Sequence, residues 1–261
     1  MKGKVAIVTG GTSGLGKGIV NLLVNQGVKV AFCSRTEQKG KKLEKELLAK
    51  GAGVFYSSVN VREEIQIDRF IEEVIDKFGK IDILFNNAAV FPATPFLEIK
   101  REEWDFVLEI NLRGVFLFGQ KVAKHMVENR IEGKIVNISS AGGKRARLNL
   151  SHYCSSKAAV NMLTRVMALE LAQYNINVNA LCPGIIETEG VLNNIKNEED
   201  IKNHKEHLKF IPLKRLPGIE EVAQHAIYLA SGKASYITGE TFYVDGGYTA
   251  GLYYSEEGIN E

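Results

Sequence analysis

Tyr153 and Lys157, in the stretch HYCSSKAAV, stand four residues apart, and of nine tyrosines in the chain only Tyr153 has a lysine at that distance. A helix through this stretch puts both side chains on one face. An isolated phenol has a pKa of about 10, too high for easy proton exchange at neutral pH. A cation beside it stabilises the phenolate, and the phenol can then serve as a general acid or base. The same spacing also describes an ordinary helix-surface contact, so the reading depends on what else the chain delivers to that face. Ser140 follows the apolar run GKIVNIS, where its hydroxyl could donate to a substrate oxygen beside Tyr153.

A second group of residues has the chemistry of a phosphate cradle. The glycine-rich turn with Gly10, Thr12, Ser13, Gly14, Leu15 and Gly16 follows the apolar run KVAIVTG and precedes an amphipathic stretch at 17–25. Glycines there let the backbone bend tightly and approach a pyrophosphate, whose charge meets the free N–H groups of the following helix. Taken alone, such a turn is weak evidence, since loops use glycine for conformation as well. At the end of the next apolar run, VKVAFCSR, stand Ser34 and Arg35. An NAD-binding chain is expected to carry a carboxylate here for the adenosine ribose, whereas a hydroxyl followed by a guanidinium suits a 2′-phosphate. NADP(H) is therefore favoured, with NAD(H) as the alternative if Arg35 is only a surface charge.

The elements that must position these residues alternate along the chain. Apolar strands at 54–60, 81–86, 133–139 and 176–182, with a last one in ETFYVDGG, follow the first two; amphipathic helices at 63–78, 104–128, 155–174 and 219–230 lie between them, after a charged helix at 37–50. Near-continuous apolar strands separated by helices predict an α/β fold, a doubly wound parallel sheet of Rossmann type in a single domain over 1–261. The polar segment 187–214 is long enough to cover a site.

Composition narrows the function further. The 33 basic and 31 acidic residues leave a net charge of +2, which gives no field for nucleic acid or an anionic membrane. No apolar run approaches bilayer length, and Val5 to Val8 is too short for a signal peptide, so a cytoplasmic location is expected. Cys33, Cys154 and Cys182 form no paired spacing, and His204 and His207 sit among lysines; neither a disulfide framework nor a metal site is expected. Lys144, Arg145 and Arg147 read as a solvated loop, with attraction of a carboxylate, a phosphopantetheine or an acidic carrier as the functional alternative.

These motifs, in this order, resemble the short-chain dehydrogenase/reductase family across nearly the whole chain. Thr9 with the Gly-x3-Gly-x-Gly turn, Asn86-Asn87-Ala88-Ala89, Asn111, Ser140 thirteen residues before Tyr153, and Pro183-Gly184 followed by Ile186 and Thr188 carry the resemblance. It implies Asn111, Ser140, Tyr153 and Lys157 as catalytic residues, with Asn111 holding a water that links Lys157 to solvent. It also implies cofactor contacts from Asn60, Val61, Asn87, Ala88, Ala89, Tyr153, Lys157 and the Pro183–Thr188 stretch on the nicotinamide side. Ala89 replaces the family's commoner glycine and Asn60 its commoner aspartate; neither change removes the contact. The expected reaction is hydride transfer between a nicotinamide and a secondary alcohol or ketone of small-ketone, sugar or hydroxysteroid type. The closing segment also resembles 3-oxoacyl-thioester reductases, and a silent NADP(H)-sensing protein is the rival of another class. The tail from Tyr248, with Leu252, Tyr253 and Tyr254, offers an apolar surface to a neighbouring subunit, and the resemblance implies a homotetramer paired through the long helices.

Overall fold

A computed structural model describes residues 1–188 and 208–251. Most of the expected cover at 187–214, both of His204 and His207, and the tail residues Leu252, Tyr253 and Tyr254 lie outside the described residues or at their margins.

Seven strands, β1 (Val5–Thr9), β2 (Lys29–Ser34), β3 (Val54–Ser58), β4 (Ile83–Asn86), β5 (Lys134–Ile138), β6 (Asn177–Pro183) and β7 (Thr241–Val244), form one parallel sheet in the order β3-β2-β1-β4-β5-β6-β7. The chain moves outward from β1 to β3, then crosses back to place β4 on the other side of β1. That reversal opens a crevice above the carboxyl ends of β1 and β4, where ligands bind in doubly wound sheets.

Period-two alternation within single strands feeds two cores. Val5 and Ile7 of β1 face one way and join α3 (Glu64–Phe78), α5 (Gly114–Glu128) and α6 (Ser151–Leu171) in a core containing Phe70, Phe118 and Met126. Ala6 and Val8 face the other way and pack with α1 (Gly14–Asn25), α2 (Glu37–Leu48) and α7 (Ile219–Leu229) around Leu23, Phe32 and Val222. With both faces covered, the strands carry continuous apolar runs.

Three boundaries differ from expectation in ways that matter for the site. Helix α1 begins at Gly14 rather than 17, so the last glycines of the turn are its first turn. The expected helix at 104–128 is two helices, α4 (Arg101–Leu108) and α5, joined by a π turn at Glu109–Arg113. Helix α6 begins at Ser151 rather than 155, so Tyr153 and Lys157 are both helical. Among the described residues, no helix is long and apolar enough to cross a membrane.

Candidate active site

The turn after β1 is shaped by close approach. Gly10 adopts a left-handed conformation (φ 66°), and a Cβ there would stand 3.0 Å from both the Ala88 Cα and the Asn87 amide nitrogen. A Cβ on Gly16 would collide with the Gly10 carbonyl oxygen. Asn87 staples this turn to the end of β4: its Nδ2 donates to the carbonyls of Thr9 (2.9 Å) and Gly10 (3.2 Å). In return the Thr9 hydroxyl accepts from the N–H groups of Asn87 (2.9 Å) and Ala88 (3.0 Å).

Helix α1 then starts with its N-cap Ser13 exposed, no side-chain cap and no acidic residue in the first turn. Its free N–H groups and positive dipole end point into the crevice. A Cβ on Gly14 would stand in ordinary contact, 3.7 Å, with Thr188 Cγ2, so Gly14 and Thr188 lie side by side at the turn. These features fit a dinucleotide pyrophosphate. Leu15 is buried in the core and can contribute only backbone, and Thr12 lies half-buried beside the turn.

At the outer end of the crevice, Ser34 Oγ lies 3.3 Å from the Tyr56 hydroxyl, which donates to the Ser34 carbonyl at 3.2 Å. Arg35 is exposed, and its guanidinium makes no hydrogen bond or ion pair to any described residue. Asn60 Oδ1 accepts from the Arg62 N–H at 3.3 Å, an Asx-type turn that leaves its Nδ2 uncommitted among the described residues. Val61 is buried against Gly114 and Ala89 is exposed at the mouth. On the opposite side, Gly184 passes so close to Asp245 that a Cβ would stand 3.1 Å from its Cα. Ile186 packs on the core below Thr188. The structure thus brings the expected cofactor residues to one crevice along the carboxyl ends of β1, β2, β4 and β6.

The second group sits on β5 and α6, locked together by a buried polar chain. Asn86 Nδ2 donates to Asn137 Oδ1 (2.9 Å), Asn137 Nδ2 to the Thr164 hydroxyl (2.9 Å), and Thr164 to the Val160 carbonyl (2.8 Å). The Ser139 hydroxyl donates to the Lys157 carbonyl at 3.0 Å. Each bond satisfies a group that would otherwise be costly to bury. Ser140 follows in extended conformation, its Oγ accepting from the Gly142 N–H at 3.0 Å, which leaves its own proton available to donate. Its hydrogen bond to Tyr153 favours the phenolate.

Two details of burial bear on the expected chemistry. Burial pushes the Tyr153 phenol above its usual value, and the Ser140 hydrogen bond and the Arg147 charge offset this only in part. Lys157 is 2% exposed, lies 5.8 Å from the Tyr153 ring centroid and donates to the Ile138 carbonyl at 2.9 Å. Burial without a carboxylate partner brings its pKa down to about 8. Asn111 is fixed by its side chain. It lies fully buried within the π turn, and its amide is spent on Val90, accepting from its N–H and donating to its carbonyl at 2.8 Å each, and on the Ser156 hydroxyl at 3.2 Å. Its side chain fixes the loop after β4; a π turn disturbs the regular helical pairing of the backbone.

Around Tyr153 the walls are apolar. Phe91 stacks edge to face on its ring, centroids 6.0 Å apart. Of the basic loop, Lys144 lies over the Tyr243 ring (5.0 Å), and Arg145 lies over the Tyr248 ring (4.2 Å) and donates to its carbonyl (2.8 Å). Those two charges hold the C-terminal segment, and only Arg147 acts electrostatically on Tyr153. Sequence reading missed Glu103 and His152, which meet at 2.9 Å beside Tyr153 across 49 residues. No local spacing could have signalled that pair.

A proton donor, a hydroxyl donor and a cation at the mouth of a dinucleotide crevice can protonate or deprotonate an oxygen on a carbon that exchanges hydride. Known proteins carry the same plan. The family model described as enoyl-(acyl carrier protein) reductase matches residues 10–249. A 3-oxoacyl-[acyl-carrier-protein] reductase of Thermotoga maritima is 37% identical, over 95% of this chain and 98% of its own. Sorbitol dehydrogenase of Cereibacter sphaeroides is 34% identical over 95% and 98% of the two chains. Among solved structures, an actinorhodin polyketide ketoreductase crystallised with NADPH superposes with a TM-score of 0.88 at 33% identity, covering 94% of this chain and 97% of its own. A match of this extent to reductases and a dehydrogenase, on a chain whose own geometry assembles the matching residues, has one conclusion: the chain is an oxidoreductase of the short-chain dehydrogenase/reductase family.

Proposed function

We propose that the protein is an NADP(H)-dependent carbonyl reductase/alcohol dehydrogenase in which Tyr153 is the general acid/base. The convergence of Ser140, Tyr153 and the carboxylate-free Lys157 at the crevice mouth carries this reading. Bound nicotinamide supplies or accepts the hydride. Tyr153, kept in its phenol form by burial, holds the proton that a reduced carbonyl oxygen needs. The Ser140 hydroxyl, its acceptor side occupied by Gly142, donates to the same oxygen and orients it. Lys157 is mainly ammonium at neutral pH and favours negative charge nearby. Asn111 holds the Val90 loop and the π turn, and any water path to Lys157 runs over backbone there rather than over its amide. Gly10, Ser13, Gly14, Gly16 and Thr188 hold the pyrophosphate, and Arg35 with Ser34 holds a 2′-phosphate.

The substrate reading follows the walls. Phe91 (68% exposed), Phe96 (73%) and Leu148 (92%) present apolar surface. Thr94 donates its N–H to the Asn149 carbonyl at 2.8 Å, which ties the segment bearing Phe91 and Phe96 to the one bearing Leu148. Such a rim favours an apolar ketone, hydroxysteroid-like or acyl, over a polyol. A 3-oxoacyl thioester is the second reading, supported by the same rim and by the 3-oxoacyl relatives. Met162, Val166 and Leu169 expose an apolar stripe along α6, with Phe116 on α5, which supports pairing of copies through these helices.

The test is NADPH and NADH oxidation by wild type and Arg35→Ala against an apolar cyclic ketone, a steroid ketone, an acetoacetyl thioester and a ketohexose. An apolar ketone or the thioester is consumed, with NADPH preferred, and Arg35→Ala raises the KM for NADPH about tenfold while leaving NADH nearly unchanged, as loss of one charge-assisted contact predicts. Tight NADPH binding with no carbonyl consumed would instead identify a sensing protein.

A further inference from the structure

Three of the first N–H groups of α6 have no acceptor within the helix, and one of them belongs to Tyr153. The N-cap Leu150 has no side-chain acceptor, and its carbonyl is taken by Cys154 (2.8 Å). The Tyr153 N–H is satisfied by its neighbour: it donates to His152 Nδ1 at 2.9 Å. His152 is 0% exposed, and its Nε2 lies 2.9 Å from Glu103 Oε1 on α4. An N–H donor on one ring nitrogen and a carboxylate acceptor on the other admit only the tautomer with the proton on Nε2. The same Glu103 oxygen accepts the Thr94 hydroxyl at 2.6 Å. Thr94 stands three residues from Phe91, whose ring edge meets Tyr153.

These bonds run from Asn149 through Thr94, Glu103 and His152 to the Tyr153 backbone, and the Phe91–Tyr153 contact closes the ring. The two ends serve different ends of the reaction. Displacing the first turn of α6 moves the phenol relative to the reacting carbonyl, which weakens proton transfer. Displacing Thr94 moves the Phe91 wall, which weakens substrate binding.

We propose that Glu103 and His152 are positioning residues with separable roles: His152 Nδ1 aims Tyr153 for proton transfer, and His152 Nε2 with Glu103 and Thr94 sets the apolar wall that binds substrate. The proposal rests on Tyr153 being the acid/base.

Side-chain geometry allows the roles to be separated. Asn places its Oδ1 where His has Nδ1, and Gln places its amide nitrogen where His has Nε2. His152→Asn therefore keeps the Tyr153 N–H acceptor and loses Glu103; His152→Gln keeps Glu103 and loses the acceptor. With the ketone found active for wild type, His152→Asn is expected to retain kcat within about threefold and raise KM roughly tenfold. His152→Gln is expected to lower kcat roughly tenfold, within the ~100-fold that a 1 Å misplacement costs, and to leave KM nearly unchanged. Thr94→Val and Glu103→Ala give the KM effect alone, and carry the test if a His152 variant does not fold by circular dichroism. An active wild type whose His152→Asn and His152→Gln variants show the same kcat and KM overturns the proposal and leaves Tyr153 standing. A wild type that turns over no carbonyl overturns both.

Discussion

Two ionisable side chains are buried to the same extent, 2% exposed, at opposite edges of one sheet: Asp82 before β4 and Lys157 beside the carboxyl end of β5. Their surroundings differ in kind. Asp82 accepts from Lys4 Nζ (2.9 Å), Lys80 Nζ (3.1 Å) and the Val5 N–H (2.8 Å). Burial pushes its pKa up, but these bonds outweigh burial and hold it below the usual carboxylate range. Lys157 has a neutral carbonyl and no carboxylate, and burial takes its pKa down to about 8. A compensated buried charge does structural work, while an uncompensated one costs stability and is retained where chemistry needs it. A space of about 770 Å³ opens at the Asp82 edge, lined by Lys4, Glu132, Lys134 and Tyr236. Charge compensation and the direction of the strands, rather than open space, distinguish the two edges.

The contrast is testable from each side. The largest effect belongs to the carboxyl edge: Tyr153→Phe removes the transferable proton and is expected to lower kcat about 1000-fold, within the range for general acid–base catalysis, with NADPH affinity changed less than about twofold. Fluorescence titration and steady-state rates measure the two; a variant retaining most of its kcat would remove Tyr153 from the reaction.

Next in size is a pH effect. The Lys157 ammonium is present below its folded pKa of about 8 and lost above it. Because Tyr153 stays a phenol through that range, kcat/KM for reduction is expected to hold below pH 8 and to fall up to about tenfold per unit above it. A profile flat to pH 10 would show that the cation is not needed. In stability Lys157 and Asp82 respond to pH in the same direction but in different ranges. The unfolded chain binds the Lys157 proton more tightly, so this residue's contribution becomes more favourable as pH rises from about 8 toward 10.5. Asp82 contributes stability above the unfolded carboxylate pKa, and that contribution is lost as pH falls through its lowered folded value.

The fold was legible because its signals are local. Continuous apolar runs, glycine at the first turn and helical periodicity specify the βα alternation, and the same runs fill β1, β4 and β6. The residues expected at the crevice were read from the glycine turn and the Ser34-Arg35 pair and, for Asn60, Asn87, Asn111 and the Pro183–Thr188 stretch, from the family resemblance. What escaped was electrostatic and long-range. The Tyr–Lys spacing says that the two share a face; only the fold shows that the lysine is buried beside a half-buried tyrosine and turns to Ile138. Asn111 reads as catalytic through the resemblance alone; only the fold shows that its amide is held by the Val90 loop within a π turn. Glu103 and His152 belong to different helices, and no spacing connects them.

The most direct test sets the two edges against each other. Asp82→Ala leaves the Val5 N–H unpaired and is expected to cost about 1–3 kcal/mol of stability while leaving kcat per folded molecule unchanged. Lys157→Met replaces an uncompensated buried cation by an apolar chain of similar length. It is expected to leave stability unchanged or raise it and to lower kcat about 100-fold or more. Denaturant unfolding and ketone reduction, measured on wild type and both variants at pH 7, decide the matter. The crossed outcome, stability lost at Asp82 and turnover lost at Lys157, is the result predicted. A Lys157→Met enzyme that unfolds early and keeps its turnover would contradict the assignment of chemistry to the Tyr153–Lys157 edge.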